Sequence, residues 1–274
     1  MNLEQIAEYR TLLDTDSVSL ADIGKWLDSF RPTKLYRYMR FDSYRKQNVF
    51  EGQFFLAPAE NINDPFDCLA YIDHNKYTDY IIQEVRHLLP GIDEQLIIST
   101  TQETIEDDLD RGLIKIRKEF RLGCLSETPL STLMWAHYTD NHSGFCIEYD
   151  LSRIDPGYRH GILPVIYSDE RYDATKAFIK RDRNLLMNLY LFKSSCWKYE
   201  KEWRMVIPQN IITDGEYYAD FLSAISAIYL GIKSSEEHSE EIREICDLYK
   251  ERQIPVYQMD IEHKSYQLKP VQIK

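Results

Sequence analysis

The sequence lacks the short motifs that most directly identify nucleotide-processing and hydrolytic enzymes. It contains no G-x-x-x-x-G-K-[ST], G-x-G-x-x-G, H-E-x-x-H or G-x-S-x-G pattern. P-loop, Rossmann, zincin and esterase sites depend on those residues at those spacings. The standard forms of these four classes therefore lose support.

The chain also lacks paired cysteines and long apolar runs. Its five cysteines are scattered, odd in number and without a C-x-x-C pair, which disfavours a disulfide framework or a zinc site. No apolar run approaches the roughly 20 residues that span a bilayer, and the N-terminus has no basic end followed by an apolar block. We expect a cytoplasmic protein with free thiols and no membrane partner.

Glycine and proline are scarce, at ten each, whereas 43% of the residues are hydrophobic and 20 are tyrosine. This composition favours a compact core over a loop-dominated chain. Residues 1–30 have the pattern of two short amphipathic helices, and we predict an N-terminal helical extension there. Residues 31–274 show no repeat or linker and are predicted to form a single α+β domain.

Basic residues are fewer than acidic residues, and the formal net charge is −12. Broad binding to nucleic acid depends on clustered Lys and Arg, so any such contact must be local. Two basic clusters stand out, and charges at these spacings are typical of the solvated face of a helix. They are Lys115/Arg117/Lys118/Arg121 and Lys176/Lys180/Arg181/Arg183.

The order of predicted elements favours an α+β fold with a mostly antiparallel sheet, because several strand patterns follow each other through short turns. Within this scheme, residues 42–50 are predicted to form a short helix and residues 173–194 a long one. Residues 196–208, CWKYEKEWRMVIP, are predicted to form a strand.

Three segments carry candidate binding residues. In LYRYMRF, Arg37 among aromatic residues such as Tyr38 fits phosphate binding with stacking on a base or ribose, although an aromatic-rich strand with exposed arginines has the same pattern. In NINDPFD, the Asn-Asp-Pro combination predicts a rigid turn, either structural or presenting polar groups. In MWAHY, helical spacing projects the imidazole of the histidine and the phenol of the tyrosine towards a cleft. The alternative is that the histidine only forms a hydrogen bond that supports the fold. The candidates from the last two segments are Asn63, Asp64, Phe66, His137 and Tyr138.

The fourth segment supplies the candidate catalytic residues. On a strand, Glu200 and Glu202 share one face, at a separation of roughly 7 Å over two residues. Two such carboxylates fit chemistry at a cationic sugar carbon, where one stabilises charge and the other positions a nucleophile. The alternative is a salt-bridged ladder with Lys201 and Arg204.

Taken together, LYRY, GQFFLAP, NDPFD, MWAHY and WKYEKEWR resemble the motifs of an uncharacterised bacterial family, a domain of unknown function. A second resemblance is to ADP-ribosyltransferases, which place an Arg or His on the first core strand, an aromatic or hydroxyl residue near the second strand, and a catalytic Glu, often within E-x-E, at the start of a later strand. Arg37 matches the first position, Phe54 or Phe55 lies near the second, and Glu200-x-Glu202 matches the third. This resemblance implies a strongly bent or split sheet flanked by helices, NAD as co-substrate and no metal.

We therefore expect an NAD-dependent ADP-ribosyltransferase-like enzyme, with a bacterial toxin or phage-defence effector as its setting. In this hypothesis Glu202 stabilises the cationic transition state, Glu200 orients a protein or nucleic-acid acceptor, and Arg37 binds the diphosphate. One alternative is a non-catalytic module that senses a nucleotide or binds a partner protein. Another is a metal-dependent hydrolase or nuclease that uses Asp64, Asp67, His137 and Glu202.

Overall fold

Strands and helices alternate irregularly along the chain in the computed structural model, which describes residues 1–16, 18–42, 51–209 and 218–273. The α-helices of these residues are α1 (Leu3–Leu13), α2 (Leu20–Leu27), α3 (His74–Leu88), α4 (Glu94–Arg117), α5 (Thr132–Tyr138), α6 (Pro156–Arg159), α7 (Thr175–Lys180), α8 (Arg183–Met187), α9 (Ser234–Glu237) and α10 (Ser239–Glu251). The strands are β1 (Lys34–Met39), β2 (Gln53–Phe55), β3 (Ala57–Pro58), β4 (Ala70–Tyr71), β5 (Phe120–Ser126), β6 (Phe145–Asp150), β7 (Ile162–Pro164), β8 (Ile166–Ser168), β9 (Tyr172–Asp173), β10 (Phe192–Ser194), β11 (Glu202–Pro208), β12 (Tyr218–Asp220), β13 (Ile225–Leu230), β14 (Val256–Ile261) and β15 (Leu268–Gln272).

One large open sheet organises the fold, in the order β15-β14-β13-β6-β1-β5-β11-β7, with β3 also paired to β5. Neighbouring strands run antiparallel except for β13 and β14, which are parallel. The predictions of the α+β class and of a mostly antiparallel sheet are confirmed.

The sheet divides at the junction of β1 and β5. These strands meet at a single pair, Tyr36 opposite Ser126, and further along β5 the partner becomes β3, where Ala57 lies opposite Leu122. The strand edge between these two contacts is left open, and Cys124 lies on that stretch of β5. A gap in the middle of a sheet gives a ligand access to side chains that would otherwise be covered.

The two N-terminal helices pack into the main hydrophobic core. Tyr9, Leu13, Ile23 and Leu27 are buried in the same hydrophobic cluster as the central strands. The hydroxyl of Tyr9 also donates a hydrogen bond to the carbonyl of Pro164 in β7. Among the helices of the described chain, none has the length and apolar character needed to cross a bilayer.

Two predicted elements are wrong. Residues 173–194 are not one long helix: they contain β9, α7, α8, a 3₁₀ turn and β10. Asp182 breaks the helical run, because its side chain accepts hydrogen bonds from the backbone amides that begin α8. The predicted strand at 196–208 begins only at Glu202, after a 3₁₀ helix over Ser195–Glu200. The helix predicted at 42–50 falls, except for residue 42, outside the described residues.

Candidate functional site

A cavity of about 300 Å³ occupies the gap between β1 and β5. Tyr36 and Tyr38 come from β1, whereas Cys124 and Ser126 come from β5. The complete lining is Tyr36, Arg37, Tyr38, Met39, Asp42, Phe55, Ala57, Ile62, Asn63, Leu122, Cys124, Leu125, Ser126, Met134, Tyr138, Lys193, Glu200 and Glu202. The sheet therefore brings both predicted catalytic carboxylates to one concave surface with four of the predicted binding residues.

The backbone that carries the two glutamates to this cavity is not the continuous strand that was predicted. Glu200 ends the 3₁₀ helix, Lys201 adopts a left-handed conformation with φ 45°, and Glu202 begins β11. A non-glycine residue with positive φ is sterically strained and is held only by its surroundings. Here Ser126 donates a hydrogen bond to the carbonyl of Glu200 at 2.6 Å, and the amide of Glu202 donates to the hydroxyl of Tyr167 at 2.8 Å.

Both carboxylates bind the same ammonium group. Lys193 Nζ lies 2.5 Å from Glu200 Oε2, 2.9 Å from Glu202 Oε2 and 3.4 Å from Asp67 Oδ2. The alternative of a salt-bridged ladder is confirmed for Arg204, which pairs with Glu202 at 2.7 Å. The cation that bridges both glutamates is Lys193 on β10, where the ladder had Lys201.

Arg204 completes a buried charge cluster, which comprises Asp67, Lys193, Glu200, Glu202 and Arg204. Its guanidinium donates to both oxygens of Asp67 at 2.7 and 2.6 Å and to both oxygens of Glu202 at 2.7 and 3.0 Å. A further bond goes to the carbonyl of Tyr190 at 2.8 Å. All five N–H donors of this side chain are thereby used.

The charge cluster contains three carboxylates and two cations, so with every group ionised it carries one excess negative charge. Burial raises the pKa of Glu200 to about 6, and the nearby Glu202 carboxylate adds to this increase. Burial also tends to raise the pKa of Glu202, but Arg204 and Lys193 outweigh it and hold that pKa well below its ordinary value. Of the two glutamates, Glu200 is therefore the one whose pKa lies closer to neutral pH.

A polar chain connects Glu200 to the NDPFD loop. Tyr138 donates its hydroxyl to Glu200 Oε1 at 2.6 Å, and the Asn63 side-chain amide donates to the Tyr138 hydroxyl at 3.1 Å. Burial raises the pKa of Tyr138, and the Glu200 carboxylate raises it further. Tyr138 therefore remains a protonated donor that fixes the orientation of Glu200.

Arg37 borders the cavity but points to the other face of the sheet. Side chains alternate along a strand, so Arg37 is directed away from the side on which Tyr36 and Tyr38 lie. Its guanidinium lies 4.2 Å from the ring centre of Phe54, and Nη2 donates to the carbonyl of Phe55 at 2.8 Å. Arg37 therefore contributes to the lining of the cavity while its guanidinium packs on the opposite face of the sheet.

Three further predicted binding residues lie away from the cavity lining. Asp64 accepts a hydrogen bond from the amide of Phe66 and so closes the loop on itself. The ring of Phe66 is exposed and packs under the guanidinium of Arg171. His137 is exposed on α5 and its Nδ1 lies 2.9 Å from the hydroxyl of Tyr199.

Sequence reasoning missed the cations that balance the glutamates. Lys193 lies in the segment that was wrongly predicted as a long helix. That prediction placed no carboxylate next to it. Asp67 entered only the hydrolase alternative, although it is the second acid of N-D-P-F-D and the residue of that loop that reaches Arg204. The available signal was the presence of Arg204 two residues after Glu202 on an otherwise apolar strand, since a buried guanidinium needs more than one carboxylate partner.

The residues of the metal-dependent alternative do not assemble into a metal site. Asp67 and Glu202 both bind Arg204, whereas Asp64 and His137 make the separate contacts described above. In the part of the chain that the structure describes, no group of three or more His, Cys, Asp or Glu is arranged to hold a metal ion.

Residues 134–205 match the model of a family described as a protein of unknown function (DUF2971). The matched segment contains MWAHY and the whole of WKYEKEWR, so the predicted resemblance to an uncharacterised family is confirmed. It also contains α5 from Met134 onwards, Lys193 and both glutamates of the cavity. Comparison of the chain with curated proteins and with solved structures gave no match.

Proposed function

We propose that the cavity between β1 and β5 binds the nicotinamide–ribose end of NAD and that the protein transfers ADP-ribose from it. The observation that carries this proposal is the placement of Glu200. Its side chain is 3% exposed, lines the cavity and is oriented by Tyr138 and Lys193. A fixed carboxylate of this kind stabilises positive charge that develops on a sugar ring.

The structure favours Glu200 over Glu202 as the carboxylate that faces the ribose. A carboxylate has about four acceptor positions, and the bonds to Arg204 and Lys193 occupy three of those on Glu202. On Glu200, hydrogen bonds from Tyr138 and Lys193 occupy two of these positions. The proposal thus gives Glu200 the stabilising role that the sequence analysis expected of Glu202.

In the proposed reaction, the bond between the ribose C1′ and the nicotinamide nitrogen breaks. Nicotinamide leaves as a neutral molecule with the electron pair of that bond. The ionised Glu200 carboxylate stabilises the resulting oxocarbenium ion, and the acceptor's nucleophilic atom forms the new bond to C1′ and releases its proton to solvent.

The size of the cavity supports binding of one end of the dinucleotide. A volume of about 300 Å³ lies at the lower end of the range of roughly 300–1,000 Å³ for small-molecule pockets. The lining contains the cations Lys193 and Arg37. Lys193 binds three carboxylates, and the assignment of Arg37 to the diphosphate rests on the resemblance to ADP-ribosyltransferases. A toxin or phage-defence setting rests on the sequence resemblance alone.

The test is nicotinamide release from NAD, measured with water or candidate macromolecules as acceptor. The variant Glu200→Gln keeps the size of the side chain and leaves the charge cluster with two carboxylates and two cations, so it is expected to fold. We expect its turnover to fall by about 100-fold or more, since fixed electrostatic stabilisation commonly contributes that much, with NAD affinity within a few-fold of wild type.

The matched control is Glu262→Gln, because Glu262 is an exposed carboxylate whose ion pair with Lys269 spans 3.8 Å. This variant is expected to retain wild-type turnover. Undiminished nicotinamide release by Glu200→Gln would reject the assigned role, and failure of NAD to bind would reject the site.

One observation favours a second candidate, a nucleotide-binding module without turnover. All five members of the charge cluster are buried and ion-paired, which is also how a purely structural network is built. This candidate predicts that NAD raises the thermal stability of the protein while wild type and Glu200→Gln both release no nicotinamide.

A further inference from the structure

A second cavity of about 860 Å³ lies beside the far end of β11 from Glu202. Its apolar side chains come from four separate elements, so the cavity is a feature of the tertiary fold. They are Leu20 from α2, Phe120 from β5, Met187 from α8, and Val206 and Pro208 from β11. These apolar side chains form the floor of the cavity, which can hold an apolar ligand of drug-like size.

The rim of this cavity brings together the two basic clusters that the sequence analysis singled out. Lys115 and Lys118 come from the C-terminal end of α4, and Arg183 comes from the start of α8. With Glu119 as the carboxylate of the same lining, the described residues that line the rim carry two excess positive charges. The chain as a whole carries −12, so this rim stands out from the average charge of the protein.

The partners of these cations are exchangeable. Arg183 lies 3.4 Å from Glu119 with its side chain 83% exposed, and Lys118 lies 3.8 Å from Glu60. Exposed ion pairs contribute little to stability. An anionic group of a ligand can therefore replace these carboxylates without loss of a strong interaction.

The charge balance selects a small ligand over a polyanion. A nucleic acid gains its affinity from many neutralised phosphates, whereas this rim offers two excess charges within a strongly acidic chain. One anionic head group can balance the positive charge of the rim, and an apolar body can pack against the floor of the cavity.

We propose that this second cavity is a binding site for a small molecule with a phosphate, sulfonate or carboxylate head on an apolar or aromatic body. The proposal is independent of NAD chemistry in the first cavity. Binding places the anionic head between Lys118 and Arg183 and the apolar body against Phe120 and Met187.

Methyl signals of methionine provide the test, because Met187 lines the second cavity and Met134 lines the first. The probe is 8-anilinonaphthalene-1-sulfonate, which joins an anionic head to an aromatic body, added to protein labelled with ¹³C-methyl methionine. We expect the Met187 signal, assigned by its absence in Met187→Leu, to shift with single-site saturation while the Met134 signal stays in place. An unmoved Met187 signal, or shifts of similar size at both methionines, would overturn the proposal.

The role of the rim is tested by Lys118→Glu/Arg183→Glu. We expect this double variant to bind the sulfonate at least tenfold more weakly, and to bind the uncharged analogue N-phenyl-1-naphthylamine within threefold of wild type. The control is Arg153→Glu/Lys269→Glu, which makes the same charge change at two other exposed ion pairs and is expected to leave both affinities unchanged. Equal sulfonate affinity in the two double variants would contradict an anion-binding rim.

Discussion

Replacing Arg204 with methionine is expected to lower the free energy of unfolding by about 3–5 kcal/mol, because removal of one partner from a buried ion-pair network leaves the remaining charges uncompensated. Arg204 is fully buried and its guanidinium binds both Asp67 and Glu202. For a chain of this size the loss corresponds to a decrease of roughly 10 °C in Tm. Denaturant unfolding at pH 7 measures it.

The control for this prediction is Arg153→Met, since Arg153 forms an exposed ion pair with Asp150 at 3.3 Å. Its free energy of unfolding is expected to stay within about 0.5 kcal/mol of wild type. If Arg204→Met does not accumulate as folded protein, Arg204→Lys provides the measurement, because an ammonium cannot reproduce the two-sided guanidinium geometry. Stability of Arg204→Lys equal to wild type would show that the network does not hold the fold together.

Replacing Lys193 with methionine is expected to have a comparable effect of about 3–5 kcal/mol at pH 7, with a distinct dependence on pH. Burial disfavours the charged form of Lys193, but Glu202, Asp67 and Glu200 outweigh burial and raise its pKa. The ammonium therefore stays charged in the wild-type protein. Its removal leaves one guanidinium among three carboxylates, which raises the pKa of Glu200 further in the folded state.

The sign of the pH dependence follows from that increase. A carboxyl whose pKa is higher in the folded state contributes stability that is complete below its unfolded pKa and is lost as the pH rises through the folded pKa. The deficit of Lys193→Met relative to wild type should therefore be largest at pH 7 and shrink as the pH falls towards 4.5. Unfolding free energies measured across this interval test the prediction, and a deficit that is constant with pH would contradict it.

Local sequence patterns were sufficient for the fold class. The order of the strand and helix patterns predicted an α+β fold with a mostly antiparallel sheet, and the central sheet has that arrangement. The pattern failed at residues 173–194, because Asp182 and the 3₁₀ turn Asn188–Tyr190 interrupt a run whose composition is helical throughout. Such breaks depend on side-chain capping and on tertiary contacts, which a periodicity does not contain.

The candidate site was predictable in part for a similar reason. Glu200, Glu202 and Tyr138 lie in motifs and reach the cavity, whereas Lys193 is a single charge in an apolar stretch with no motif of its own. Its importance arises from the parallel pairing of β10 with β8, where Lys193 lies opposite Tyr167. Contacts between elements that are distant in sequence determine this pairing. The sequence alone could therefore supply the carboxylates of the site but not the cation between them.

The most direct test of the account is the position of NAD on the protein. Methyl signals of Met134 and Met187 report on the first and the second cavity, respectively. Titration of the labelled protein with NAD is predicted to shift the Met134 signal with saturation and to leave the Met187 signal unchanged. Saturable NAD binding with an unmoved Met134 signal would contradict the placement of the nucleotide between β1 and β5.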